Sequence, residues 1–370
     1  MSKISIGKNL YLKGRVGWKG LKKSEYLNSG EYRIINALAL EENKINWNKA
    51  GYISKERYEE SPEIMLQKND ILISKDGTLG KIGYVDELDT KTTIASGIFL
   101  LRNTSPEAID TRYLYQLLKS NIFKDFIKNN KAEGSTINHL YQADLVNFEV
   151  DFPCLSLQNS ISRILDSIDN KISINNKIND NLLNMAQDIY MHYFFKKSPN
   201  GKLNDIILES DKSKIQVGDA KNCIGQYPFF TSGTSILTWN EYFVDGRYCF
   251  LNTGGNADVK FYAGKSAYST DTWCIYTNNN MTDYMYLLLL TLKEELNKKY
   301  FQGTGLKHLQ KDLLKNKDIY IPTEIELSNF NNIIEPLFNN ISKNTSEIEK
   351  LVGLRDFLLP LLMNGQAKID

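Results

Sequence analysis

The 370-residue sequence predicts an α/β (α+β) protein in which two mixed globular units are separated by two long, antiparallel coiled-coil helices, with a pseudo-twofold internal repeat. Three observations carry this prediction. The length exceeds the roughly 100–200 residues of a single domain. A fifteen-residue segment occurs twice. Two segments of roughly 40 residues place apolar side chains at steps of three and four, the spacing of a helical seam. The boundaries expected are 1–154 for the first unit, 155–197 for its helix, 198–323 for the second unit, and 324–370 for the second helix and tail.

The repeat comes first because it sets the organisation. HLYQADLVNFEVDFP from His139 and HLQKDLLKNKDIYIP from His308 each run from a His-Leu pair to a proline, Pro153 or Pro322, 169 residues apart. A glycine-bearing loop precedes each, Gly134-Ser135-Thr136 and Gly303-Thr304-Gly305. Upstream, ILISKDGTLGKIGYV from Ile71 echoes CFLNTGGNADVKFYAG from Cys249 at an offset of 178, a strand, a glycine turn and a strand. Phe99 and Leu101 then match Trp273 and Ile275, and helical patterns begin near Tyr113 and Tyr284.

After each proline comes a long helical pattern. Leu157, Ile161, Ile164, Ile168, Ile178, Leu182, Met185 and Ile189 form the expected first seam, and Phe330, Ile333, Leu337, Ile348, Leu351, Leu354 and Leu358 the second. Ile161, Ile168, Leu182, Leu337 and Leu351 are expected to face the paired helix. Asn175 and Asn344, at the same offset of 169, interrupt the two seams near their middles. A seam asparagine costs stability but sets register, so an antiparallel pair should bring the two together, with the globular units at opposite ends of the rod.

Composition narrows the function. Lys and Arg number 45 against 44 Asp and Glu, a net charge of +1, so any nucleic-acid surface must be local. Cys154, Cys223, Cys249 and Cys274 are scattered and histidines number three, which suggests neither a metal cluster nor a disulfide scaffold. No apolar run approaches membrane length and no signal-peptide core is evident, so a cytoplasmic protein without a membrane partner is expected. Ser74 to Lys81, SKDGTLGK, lacks phosphate-loop spacing, and Gly254-Gly255 is an isolated pair. No acid-base spacing or amino-methyltransferase tetrapeptide stands out, and the chain reads as non-catalytic.

Local charge supplies the candidate site. Residues 1–23 hold Lys3, Lys8, Lys13, Arg15, Lys19, Lys22 and Lys23 and no acidic residue, with Tyr11 and Trp18 between them, a pattern suited to phosphates and bases. The DNA-contact candidates are Lys13, Arg15, Trp18, Lys19, Lys75 and Lys81 in the first unit and Ser232, Thr234, Lys260, Lys265 and Lys307 in the second. Two similar but divergent units on a spacer suit a split, asymmetric target, whereas identical heads suit a palindrome.

With these residues in view, the chain resembles the specificity (S) subunit of type I restriction-modification systems. The most specific stretches are Gly134 to Ile172, GSTINHLYQADLVNFEVDFPCLSLQNSISRILDSIDNKI, its second copy from Gly303, and LRDFLLPLLMNGQAKI from Leu354. Leu327 departs from the pattern by standing where Gln158 stands in the first copy. The resemblance implies two target-recognition domains reading the halves of a bipartite double-stranded DNA site, with the helices setting the spacer. It also implies two methyltransferase (M) and two restriction (R) subunits as partners. S-adenosylmethionine, ATP and Mg would belong to those partners, with no cofactor or metal in this chain. Two other readings remain open on residues alone, a self-contained DNA methyltransferase and a coiled-coil protein-binding scaffold.

Overall fold

Apolar side chains alternate between two faces along the central strands of the first unit. Ile71, Ile73, Phe99 and Leu101 enter one core and Leu72, Ile98 and Leu100 another. The computed structural model describes residues 2–41, 43–130, 139–221 and 223–367 and divides into two compact units, Met1–Ser167 with Asp356–Asp370, and Ile168–Arg355. The boundary therefore falls inside each long helix rather than at its ends.

Unit 1 is centred on a four-stranded antiparallel sheet in the order Leu10–Gly14, Ile98–Asn103, Ile71–Ser74, Ile82–Tyr84. One face packs on helix Thr111–Lys119 and on Ile161, Leu165, Leu359 and Leu362 of the long helices. The other is covered by residues 15–70, which include two strands of the small sheet Gly51–Ile53, Tyr32–Ile35, Lys91–Ile94.

Unit 2 holds a six-stranded sheet, and its first four strands, Ile207–Glu209, Thr272–Thr277, Val244–Asn252 and Val259–Tyr268, repeat the order of unit 1. Register repeats too: Leu72 faces Leu100 as Phe250 faces Cys274. The His-Leu pair docks identically in each unit. Leu140 N donates to Lys75 O at 2.9 Å and Leu309 N to Thr253 O at 3.0 Å, beside the bridges Asp76–His139 and Gly254–His308. Short helices, Gln142–Val146 and Lys311–Lys315, follow at the same offset. The preceding loop Gly134-Ser135-Thr136 lies outside the described residues. What differs is the cover: residues 210–243 do in unit 2 what 15–70 do in unit 1, through the hairpin Tyr227–Phe230 and Ile236–Trp239.

The long helices, Leu155–Phe194 and Glu324–Met363, have 40 residues each, about 60 Å at 1.5 Å per residue. Within unit 2 they run antiparallel, since Asp169 pairs with Arg355, Lys171 with Glu347, and Asn179 with Asn344. Asn175, 2% exposed, donates to Glu347, and Asn344 donates to Asn179. Each asparagine is thus satisfied across the pair by a residue other than its repeat mate. The seam needs a correction. Ile164, Ile178 and Met185 are exposed, as are Ile333 and Leu354, while Ile161, Leu165, Ile168, Ile172, Asn175 and Ala186 are buried. Ile161, Ile168 and Phe330 of the expected seam are buried, and the exposed members stand one position away from buried neighbours such as Leu165 and Ile334. Leu182, Leu337 and Leu351 are half-buried.

Gln158 is wholly buried at the start of the first long helix. Its Oε1 accepts from Asp110 N at 2.8 Å, and its Nε2 donates to Ala108 O and Pro153 O, both at 2.9 Å. Leu327, its counterpart, enters the apolar core of unit 2 instead. Gln158→Leu leaves one buried N–H and two carbonyls without this partner, so a loss of about 3 kcal/mol is expected in urea unfolding.

Glu349, half-buried on the second long helix, has no ion-pair partner among the described residues, and burial pushes its carboxyl up to about 7 from 4.5. The folded chain then holds a proton that the unfolded chain releases between those values. Stability falls as pH rises through that window and stays at the lower level above it. Glu349→Gln should therefore stabilise the protein at pH 8, by on the order of 2 kcal/mol, and leave it unchanged near pH 4. Thermal or urea unfolding of both proteins across that range checks it.

Candidate nucleic-acid interface

One end of the repeated sheet carries polar turns and basic side chains in each unit, and buried side chains hold those turns in place. In unit 1, Ser74 Oγ donates to Thr78 O at 2.7 Å and accepts from Lys81 N at 2.9 Å. Gly77 and Gly80 adopt φ of 70° and 74°, values that glycine reaches without strain, so the chain can double back between Lys75 and Lys81. His139 contacts Asp76 and packs edge-on against Tyr141, closing the turn from the side.

In unit 2 the residue at the place of Ser74 is Asn252, 2% exposed. Its Nδ2 donates to Gly254 O at 2.6 Å and to Asn256 O, and its Oδ1 accepts from Asp258 N at 2.7 Å. Gly255 N donates to Lys307 O at 2.9 Å, which joins this turn to the exposed loop Gly303–Lys307. Neither fastener was among the sequence candidates. The signal was available: both stand directly before the glycine turn of the repeated strand pair.

The candidate cations separate into two groups. Lys13 is exposed at the strand end, its Nζ 5.9 Å from the Tyr11 ring centroid, and Lys75 sits 4.9 Å over Phe99. By strand alternation the two leave opposite faces of the sheet. Lys81 is half-buried at the turn. In unit 2, Lys265 lies exposed 4.6 Å over Tyr242, and Lys307 is exposed. Ser232 and Thr234 occupy the tip of the hairpin that Thr231 closes through its bond to Ser235 O at 2.8 Å.

Three candidates are internal supports instead. Arg15 is 1% exposed: its Nε donates to Ile94 O at 3.0 Å and its Nη2 to Thr93 Oγ1 at 3.4 Å, anchoring the segment after strand Leu10–Gly14. Burial, reinforced by Arg57, lowers its pKa. Lys19 Nζ donates to Glu60 O at 2.7 Å. Lys260 bonds Asp258 at 2.9 Å and Thr231 O at 3.2 Å, with its side chain 13% exposed. Burial pushes the Asp258 carboxyl up, but the hydrogen bonds from Lys293 and Lys260 outweigh it and hold it low. Arg15 and Lys260 are therefore corrected from phosphate contacts to structural residues, because their charges are already engaged inside the fold. The Trp18 side chain lies outside the described residues.

Among the described residues no group of three or more His, Cys, Asp or Glu is arranged to hold a metal ion, and no helix is long and apolar enough to cross a membrane. What the architecture defines is a tandem α/β protein, one framework used twice under two different covers, with basic and polar turns at the same end of each framework. The comparisons agree. The chain belongs to the type I restriction modification DNA specificity domain family, whose model matches residues 17–184 and again 196–351, and it is thereby a specificity subunit of a type I restriction-modification system. It is 24% identical over 333 residues to the type I restriction enzyme MjaIX specificity subunit of Methanocaldococcus jannaschii, covering 78% of this chain and 76% of that one. It is 27% identical over 207 residues to the putative MjaX specificity subunit of the same organism, where it spans 51% of this chain and 46% of the relative. The crystal structure of the type I restriction-modification S subunit from M. genitalium shares its fold, with a TM-score of 0.63 at 16% identity over 100% of this chain and 96% of that one.

Proposed function

We propose that the chain is the non-catalytic DNA-reading subunit of a type I restriction-modification complex, binding a bipartite, asymmetric double-stranded site with one half read by each unit. The observation that supports this most is the repeated four-stranded framework under unlike covers, 15–70 and 210–243. A shared framework gives both units one way of meeting a duplex, and unlike covers give each its own base contacts. Lys13, Lys75, Lys81, Lys265 and Lys307 hold phosphates, Ser232 and Thr234 reach base edges, and the long helices set the unread spacer. Two methyltransferase and two restriction subunits join it in the cytoplasm and bring S-adenosylmethionine, ATP and Mg.

Co-expression with a candidate methyltransferase subunit, followed by genome-wide mapping of methylated bases, tests the reading. Two short, different half-sites at a fixed spacing are the expected result; a stable complex that methylates nothing counts against it.

A further inference from the structure

Unit 2 contains an aromatic cavity at a position that unit 1 closes with an ion pair. Ile71 faces Leu101 in the first sheet and Cys249 faces Ile275 in the second. One residue further along, unit 1 has Asp70 and Arg102, bonded at 2.7 and 2.8 Å, with Arg102 also donating to Met65 O. Asp70 is fully buried. The matching pair in unit 2 is Tyr248 and Tyr276, ring centroids 5.2 Å apart and inclined at 52°. The shorter cover 210–243 leaves them half-buried beside a cavity of about 680 Å³, also lined by Tyr268 and Phe243.

Chemistry at the rim differs from that of the walls. Lys212 and Lys214 are exposed on the segment that forms one side, and Tyr268 Oη fixes that segment by donating to Asp211 O at 2.6 Å. A second cavity of about 340 Å³ adjoins across residues 209–212 and is lined by Thr253, Thr270 and Lys311. Flat aromatic walls with lysines at the mouth suit a planar heteroaromatic base carrying a phosphate, and the volume lies within the roughly 300–1,000 Å³ of small-molecule sites.

We propose that this cavity binds a single unstacked nucleotide, its base against Tyr248 and Tyr276 and its phosphate on Lys212 and Lys214. The source is an extrahelical or single-stranded nucleotide of bound DNA, which rests on the DNA-reading function above, or a free nucleotide of the same chemistry. In unit 1 the matching places hold Asp70 and Arg102 instead of the two tyrosines.

The test uses the full chain and a 12-residue thymine oligonucleotide carrying one 2-aminopurine, whose emission falls when the base stacks. Saturable quenching is expected. Tyr248→Ala with Tyr276→Ala should abolish it and weaken binding about tenfold to a hundredfold, while Tyr248→Phe with Tyr276→Phe retains it. Lys212→Ala with Lys214→Ala, on the exposed segment, should lower the salt slope by about 0.7, the share of one phosphate, and keeps the test open if the alanine pair misfolds. No quenching, quenching indifferent to the alanine pair, or an unchanged slope overturns the proposal. 2-Aminopurine riboside 5′-monophosphate assigns the source: tyrosine-dependent binding of the monophosphate supports a free nucleotide, and binding of the oligonucleotide alone supports DNA. Duplex binding in the same preparations keeps the two readings apart. Quenching without duplex binding sinks only the DNA-reading function, and duplex binding without quenching sinks only this site.

Discussion

Arg247→Met is expected to destabilise unit 2 by about 3–5 kcal/mol, the cost of leaving a buried charge without its partner. Asp283 is 2% exposed at the start of helix Thr282–Thr291 and receives Arg247 Nε at 2.7 Å and Nη2 at 2.5 Å. The same guanidinium gives Nη1 to Asn339 Oδ1 at 2.6 Å, tying strand, short helix and long helix together. Methionine fills much of the volume but leaves the carboxylate dehydrated and alone. Adding Asp283→Leu should recover most of the loss, because then no charge remains buried. Urea unfolding of the single and double variants measures both numbers, and a double variant no better than the single would show that the arginine acts through its packing instead.

The second large effect concerns DNA. Lys13→Ala, Lys75→Ala and Lys81→Ala combined are expected to weaken duplex binding about 10²–10³-fold near 0.1 M salt and to lower the slope of log affinity against log salt by about 2.7. Each lost phosphate contact removes about 0.9 from that slope. Lys260→Ala should leave the slope unchanged and lower the unfolding midpoint instead, since its charge is spent on Asp258 and Thr231. Filter binding at several salt concentrations separates these outcomes, and a triple variant with an unaltered slope would place the duplex elsewhere.

Much of the fold was legible because its strongest signals are local. The His139 and His308 segments were readable as a repeat since both keep the same backbone docking, down to the Leu140 and Leu309 backbone bonds. Long helices announce themselves by periodicity. The inward row was legible only in part: Ile161, Ile168 and Phe330 are buried as the spacing suggests, but Ile164 and Leu165 are adjacent and equally greasy, and only packing sends Leu165 to the core. A helix that serves two cores has no break in composition, so which of its residues joins which core was not legible either. In the site, lysines at the glycine turns could be found by charge, but counting charge is blind to burial, so Arg15 looked like a surface residue. Asn252 and Ser74 share a role without sharing a residue type. Tyr248 and Tyr276 acquire meaning only beside Asp70 and Arg102, a comparison that needs strand register.

The two starts of the long helices carry a thermal consequence. At matched positions, Gln158 makes three hydrogen bonds, which are rich in enthalpy, whereas Leu327 packs into an apolar core and leaves the polar bonds of its helix start to Thr323 and Glu326. Apolar hydration carries a large heat capacity, so the grip of Leu327 slackens on chilling while that of Gln158 does not. The two matched positions thus differ in their response to temperature, and in the cold the contribution of Leu327 should shrink while that of Gln158 holds.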